Sequence, residues 1–195
     1  FNPEDFMAAY TICYSICTCK TNETNSDMNL SSILYKKHGQ ELKRYLTKKL
    51  MILRDNINDN SDIQCEKLLE EFVIEVNKYK IMNRWYKRFF MYLDRYHVQT
   101  VEKLPLLEKG KNILKNIFYK PIWPNISEAV LKLIKNERNG QVINRSLVRS
   151  VIQIILDMGN DKEDSNKSLY VENIEEPFLL ETQKYYNEKC QSLVN

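Results

Sequence analysis

Turn-forming residues are scarce in this chain. Its 195 residues hold 4 glycines and 5 prolines, where average usage gives roughly 14 and 10. So few tight-turn residues argue against a sandwich or barrel of many short strands. Histidine occurs only at His38 and His97. Neither stands in an H-E-x-x-H pair, and no G-x-S-x-G elbow or G-x-x-x-x-G-K phosphate loop is present. An enzymatic reading therefore has no nucleophile, metal set or phosphate cradle to start from. No run of 18 or more apolar residues occurs, so no transmembrane helix is expected. The opening residues Phe1, Asn2, Pro3, Glu4 and Asp5 do not read as a signal peptide. Without an initiator Met, the chain is expected to be a fragment of a longer protein. Net charge is +3, from 29 basic and 26 acidic residues. That near balance carries no nucleic-acid footprint in the total. Five cysteines (Cys13, Cys17, Cys19, Cys65, Cys190) make an odd set, which fits free thiols in a reducing compartment. Cys17 and Cys19 form a C-x-C with no second pair at zinc spacing, so a metal site is not expected.

Helical periodicity is abundant. Asn2, Pro3, Glu4 and Asp5 form a helix start, with a cap, a proline suited to the first position and acids at the positive end of the dipole. Phe6, Met7, Tyr10, Cys13, Tyr14 and Cys17 then recur at 3–4 spacing as one aromatic-rich stripe. Residues 20–29 are polar and read as a loop. Ser31 or Ser32 is expected to cap a second helix, with Leu34, His38, Leu42, Tyr45, Leu46, Leu50, Leu53 and Ile57 inward. After a polar break at 56–60, a third helical region opens at Ser61 and Asp62. It turns Leu68, Leu69, Phe72, Val73 and Val76 inward and continues to about Tyr96, with a break expected near Tyr79 to Ile81. A shorter helix is expected from Leu104 to Tyr119, with Pro105 in its first turn. Pro121 and Pro124 read as bracketing a turn. Ser127 and Glu128 open a helix that Asn139 and Gly140 stop. Another runs from Asn144 to Met158, and a last one from near Tyr170 to about Val194 follows a polar loop at 160–168. The pattern predicts an all-α chain of roughly seven or eight helices, either a helical bundle or a stacked helical repeat.

Two stretches invite a functional reading. Lys78, Lys80, Arg84, Lys87 and Arg88 interleave with Trp85, Tyr86, Phe89 and Phe90. This is either a nucleic-acid patch or a helix with Trp85, Phe89, Tyr92 and Leu93 packed inward and its bases in solvent. The helical spacing of the aromatics favours packing. The stripe on the first helix is either core or interface, because large aromatics and Met serve both. His38 lies on an apolar helix face and reads as a core histidine. Carboxylates are interspersed with lysines at helical spacing, the ordinary solvated arrangement.

Several motifs in one order resemble the cullin family. Phe6 and Met7 followed by Tyr10, Thr11, Tyr14, Cys17 and Thr18 look like the second helix of cullin-1-like members, with its Y-T-x-x-Y-x-x-C-T. Tyr92, Leu93, Asp94 and Arg95, with the stretch from Lys80 before them, resemble its Y-L-[DN]-R helix. Leu104, Pro105, Leu106 and Gly110 resemble the start of its fifth helix. Ile134, Glu137, Arg138, Gly140, Ile143 and Asn144 are similar to I-x-x-E-R-x-G-x-x-I-[DN]. Phe178, Leu179, Thr182, Tyr185 and Tyr186 resemble F-L-x-x-T-x-x-Y-Y. The resemblance spans nearly the whole chain.

It implies an elongated stalk of five-helix repeats, with residues 1–125 as a first repeat lacking its first helix and 126–195 as the opening of a second. It also implies a non-catalytic scaffold of a ubiquitin ligase, found in cytoplasm and nucleus. Its second and fifth helices would dock a Skp-type adaptor carrying F-box receptors. A RING-box protein would be recruited through the C-terminal half, which this chain lacks. Adaptor contacts carried over by the resemblance fall on Phe6, Met7, Tyr10 and Tyr14, and on Leu104, Pro105, Leu106 and Lys109. No cofactor, nucleic-acid or membrane partner is implied. The alternatives are a cullin of another subtype docking a BTB or elongin-type adaptor, or a helical nucleic-acid-binding module. Pro177 lies inside an expected helix, Ile174 replaces a usual Phe, and Lys111 replaces a usual apolar residue.

Overall fold

The computed structural model describes residues 2–19, 30–55, 61–99, 103–159 and 170–194. The expected loops at 20–29, 56–60 and 160–168, together with Ile57, lie outside the described residues. Those described are all-α, with no strand among them. The helices are α1 (Pro3–Thr18), α2 (Leu30–Asp55), α3 (Asp62–Phe89), α4 (Leu106–Ile113), α5 (Lys120–Arg138), α6 (Arg145–Gly159) and α7 (Glu176–Val194). Wider π-helical turns occur at Leu93–Val98, Leu114–Tyr119 and Val171–Glu175. The chain divides into two compact units, one of Phe1–Ile52 with Glu75–Pro121, the other of Leu53–Ile74 with Ile122–Asn195.

In the first unit, α2 buries His38, Leu42, Leu46 and Leu50 at i, i+4, i+8 and i+12, the stripe its sequence predicts. Ser31 and Ser32 lie inside α2 rather than capping it. Ser31 is buried, and Ser32 Oγ stands 3.3 Å from Nε2 of His97. α3 presents Val76, Tyr79, Asn83 and Phe89 to the core. It runs unbroken through Tyr79 to Ile81, where a break was expected, and ends at Phe89. Each large apolar side chain buried in this way contributes about 1.5–3 kcal/mol relative to exposure.

The second unit is built from α5, α6, α7 and the first part of α3. Leu69, Phe72, Ile122, Ile126, Val130, Val151 and Ile155 form its centre. Pro121 and Pro124 do not bracket a turn, and Ser127 and Glu128 do not open a helix. All four lie inside α5, which starts at Lys120. The physical reason is the π-helical turn before it. There the Lys120 N–H reaches back five residues to the Lys115 carbonyl, so the hydrogen-bond ladder shifts just before two residues that carry no N–H. The same device recurs at Pro177, the second residue of α7, where the Glu176 N–H donates to the Val171 carbonyl. The expected repeat boundary at 125 and 126 falls within α5.

The end of α5 follows its sequence closely. Gly140 has φ of 89°, its N–H donates to the Glu137 carbonyl, and the Gln141 N–H donates to the Asn136 carbonyl. This is the paired bonding of a Schellman motif, with glycine where the backbone turns left-handed. Asn144 then caps α6 by accepting from the Leu147 N–H at 3.1 Å. Arg138 gathers the motif residues of α7. It donates to Thr182 Oγ1, lies over the rings of Phe178 and Tyr185, and accepts from the Tyr185 hydroxyl at its own carbonyl. Ile174, in place of the usual Phe, is buried.

Candidate functional site

All eight residues singled out as docking contacts belong to the first unit. α1 is opened by Asn2, whose side chain accepts from the Glu4 N–H at 3.4 Å, and by Pro3 at its first position. That bond reaches two residues on, to the second residue of the helix. The stripe on α1 divides in two. Cys13 is buried and Phe6, Tyr10 and Cys17 are half-buried, whereas Met7 is 56 % and Tyr14 is 44 % exposed. Phe6 sits with its ring centroid 5.3 Å from Phe89 and 6.4 Å from Trp85. Tyr14 meets Tyr92 edge-on at 4.8 Å. Phe6 and Cys13 turn the helix inward by one edge of the stripe, and Met7 and Tyr14 lie along its exposed flank, Tyr14 with one side of its ring against Tyr92. Burial pushes the thiols of Cys13 and Cys17 above the usual thiol range, and all five cysteines are free.

The second group stands at the start of α4. Pro105 is the cap residue, not a residue of the first turn, and provides no side-chain bond. Leu104 is 52 % exposed and Pro105 is exposed. Leu106 is 1 % exposed. Its side chain belongs to the core of the first unit, unlike the exposed Leu104 and Pro105 beside it. Lys109 is half-buried and already engaged. Its Nζ donates to the Tyr35 carbonyl at 2.5 Å and lies 3.4 Å from the centre of that ring. Burial, with Lys103 and Lys43 nearby, pulls the Lys109 ammonium down to about 8. Lys111, the unusual residue of this helix, is exposed and pairs with Glu108 at 2.9 Å.

Sequence reasoning missed three residues here. Tyr92 bridges Tyr14 and Tyr96, with Tyr96 at 4.5 Å and 59 % exposed. Asp94, on the same π-helical turn, accepts from the Leu106 N–H at 2.8 Å. The signal was the Y-L-[DN]-R match, whose acidic member bonds the first turn of α4. In the basic–aromatic stretch, Phe89 and Leu93 are buried and Trp85 and Tyr92 half-buried. Arg88 lies over the Trp85 ring, and Lys78 pairs with Glu75 at 3.0 Å. The inward-packing reading of that stretch is the one the structure shows.

His38 is buried, and its two ring nitrogens have no hydrogen-bond partner among the described residues. It packs edge-on against Tyr86 and Phe90. Burial, reinforced by the Lys109 charge, lowers it to about 4. It is the core histidine that its position on α2 predicts. Among the described residues, no group of three or more His, Cys, Asp and Glu side chains could hold a metal. No helix among them is long and apolar enough to cross a membrane.

The described residues are thus all-α, and α1 presents Met7 and Tyr14 at its surface. Residues 1–195 match the family model described as the cullin alpha solenoid domain, and the chain belongs to the cullin family. It is 34 % identical to Cullin-1 of Oryza sativa subsp. japonica over 92 % of this chain and 22 % of that protein. Putative cullin-like protein 2 of Arabidopsis thaliana is 30 % identical over 93 % of this chain and 44 % of its own length. Cullin-3 of Dictyostelium discoideum is 25 % identical over 84 % and 21 %. The chain thus spans less than half the length of each of these relatives.

Proposed function

We propose that this chain is the adaptor-docking region of a ubiquitin-ligase scaffold and that its partner is a Skp-type adaptor carrying F-box receptors. The reading rests on Met7 and Tyr14. Both are large and exposed, on a helix held through Phe6 against Trp85 and Phe89. A rigid aromatic side chain on a preformed helix buries area on binding at little ordering cost, and an exposed thioether adapts its shape to the partner. Leu104 and Pro105 would extend the surface at the start of α4, with Tyr96 beside the Tyr14–Tyr92 pair. Phe6 supports this surface from behind. The chain itself would do no chemistry; it would hold an adaptor at a fixed place so that a recruited conjugating enzyme acts on a positioned substrate. A RING-box protein would bind elsewhere on the longer protein. The protein would act in cytoplasm and nucleus, and residues 1–125 and 126–195 would belong to successive repeats.

Titration calorimetry of the chain against a purified Skp-type adaptor tests the reading, with a BTB protein as control. One-to-one binding to the Skp-type adaptor, weakened at least tenfold by joint replacement of Met7 and Tyr14 with alanine, is expected. Binding to the BTB protein alone would move the chain to another ligase subtype and overturn this assignment.

A further inference from the structure

The start of α4 is held almost entirely by side chains from other elements. Its cap residue is a proline with nothing to offer the first N–H groups. An uncapped helix start leaves those donors without partners. Here the Leu106 N–H donates to Asp94 Oδ1 at 2.8 Å, and the Leu104 carbonyl accepts from the Tyr35 hydroxyl at 2.9 Å. Further along, the Leu107 carbonyl accepts from Asn83 Nδ2 and the Gly110 carbonyl from the Tyr79 hydroxyl. Asp94 differs from the other three in where it stands. It belongs to the π-helical turn Leu93–Val98, anchored by the buried side chains of Leu93 and Val98. The residue before that turn, Tyr92, is the one that meets Tyr14 of α1. The turn and the residue before it therefore touch both halves of the proposed docking surface, α1 through Tyr92 and the start of α4, next to Leu104 and Pro105, through Asp94.

We propose that Asp94 is a positioning residue for adaptor docking: as a remote cap on α4, it sets Leu104 and Pro105 in register with Met7 and Tyr14. The inference rests on the docking reading given above. A carboxylate suits the role twice over, as an acceptor for the orphan N–H and as a negative charge at the positive end of the helix dipole. Asp94 need not touch the adaptor. Its effect passes through the placement of Leu104, so the two residues should be energetically coupled.

The test is a double-mutant cycle on Skp-type adaptor binding, with amide exchange at Leu106 measured on the free chain. Asp94→Ala should weaken binding about tenfold and speed exchange of the Leu106 amide. Leu104→Ala should weaken wild-type binding but do much less in the Asp94→Ala background. Asp94→Asn keeps an acceptor oxygen and should restore affinity to within about threefold of wild type, while the coupling to Leu104 is a readout that loss of fold stability alone would not produce. Should Asp94→Ala not fold, Asp94→Ser, with a shorter acceptor, takes its place in the cycle. A folded Asp94→Ala that binds like wild type, or losses that simply add with those of Leu104→Ala, would overturn the positioning role while leaving the docking reading intact. A wild-type chain with a protected Leu106 amide that binds no Skp-type adaptor would remove the docking reading and this role with it.

Discussion

Replacing Gly110 with alanine should destabilise the first unit, although alanine is the better helix former. A Cβ built at Gly110 would stand 2.5 Å from Cγ of Asn83, and closer still to the amide oxygen and nitrogen. Asn83 cannot simply swing away. It is 4 % exposed, and its Nδ2 donates to the Leu107 carbonyl at 3.1 Å. Overpacking of this kind costs about 1–3 kcal/mol. Displacing the Asn83 amide also removes a buried hydrogen bond worth about 1 kcal/mol. Against this, alanine gains about 1 kcal/mol over glycine within a helix. The net expectation is a loss of about 1–3 kcal/mol, and at about 2–4 °C per kcal/mol a chain of this size would melt several degrees lower. Thermal and urea unfolding followed by circular dichroism would measure it. The reasoning also predicts a sign reversal: in an Asn83→Ala background the clash partner is gone, so the same glycine change should be neutral or stabilising. Gly110→Ala melting at or above wild type, or costing as much with Asn83 removed, would refute it.

Two further effects follow from single residues. His38 is held at about 4, below its ordinary value near 6.5, so between those values the folded state binds fewer protons than the unfolded one. Its contribution is therefore complete above pH 6.5 and declines as pH falls toward 4, by about 3 kcal/mol at most. His38→Phe, which keeps the edge-on packing on Tyr86 and Phe90, should flatten that part of a stability-versus-pH curve. Gly140→Ala should cost about 1 kcal/mol through its left-handed backbone alone, because its Cβ would meet nothing within 4 Å. Gly140→Asn should cost less, and chemical unfolding would rank the three.

Much of the fold was legible because burial follows helical spacing. The α2 stripe of His38, Leu42, Leu46 and Leu50 and the Gly140 stop both come straight from local rules. The prolines did not. Pro121 and Pro124 mark a break by local rules, but a π-helical turn absorbs the missing donors, and no single residue advertises such a turn. The stripe on α1 was legible as a pattern, but its division into buried and exposed members was not. Spacing cannot say that Phe6 turns toward Trp85 while Met7, one residue on, stays outside. Leu106 shows the same limit at the start of α4, where adjacent apolar residues lie on opposite sides of a core boundary. Arg138 with Phe178, Thr182 and Tyr185, and Asp94 with Leu106, join positions 44 and 12 residues apart at the hydrogen bonds that link them. Such pairings come from tertiary packing, which spacing alone does not contain.

The central claim is that an adaptor covers the exposed face of α1, and side-chain footprinting by hydroxyl radicals tests it most directly, since Met and Tyr react readily when exposed. In complex with a Skp-type adaptor, oxidation of Met7 and Tyr14 should fall at least severalfold, while Leu179, Leu180 and Tyr186, each 56–57 % exposed on α7, should react as in the free chain. Unchanged oxidation of Met7 and Tyr14 in a saturated complex, or protection confined to α7, would contradict the account.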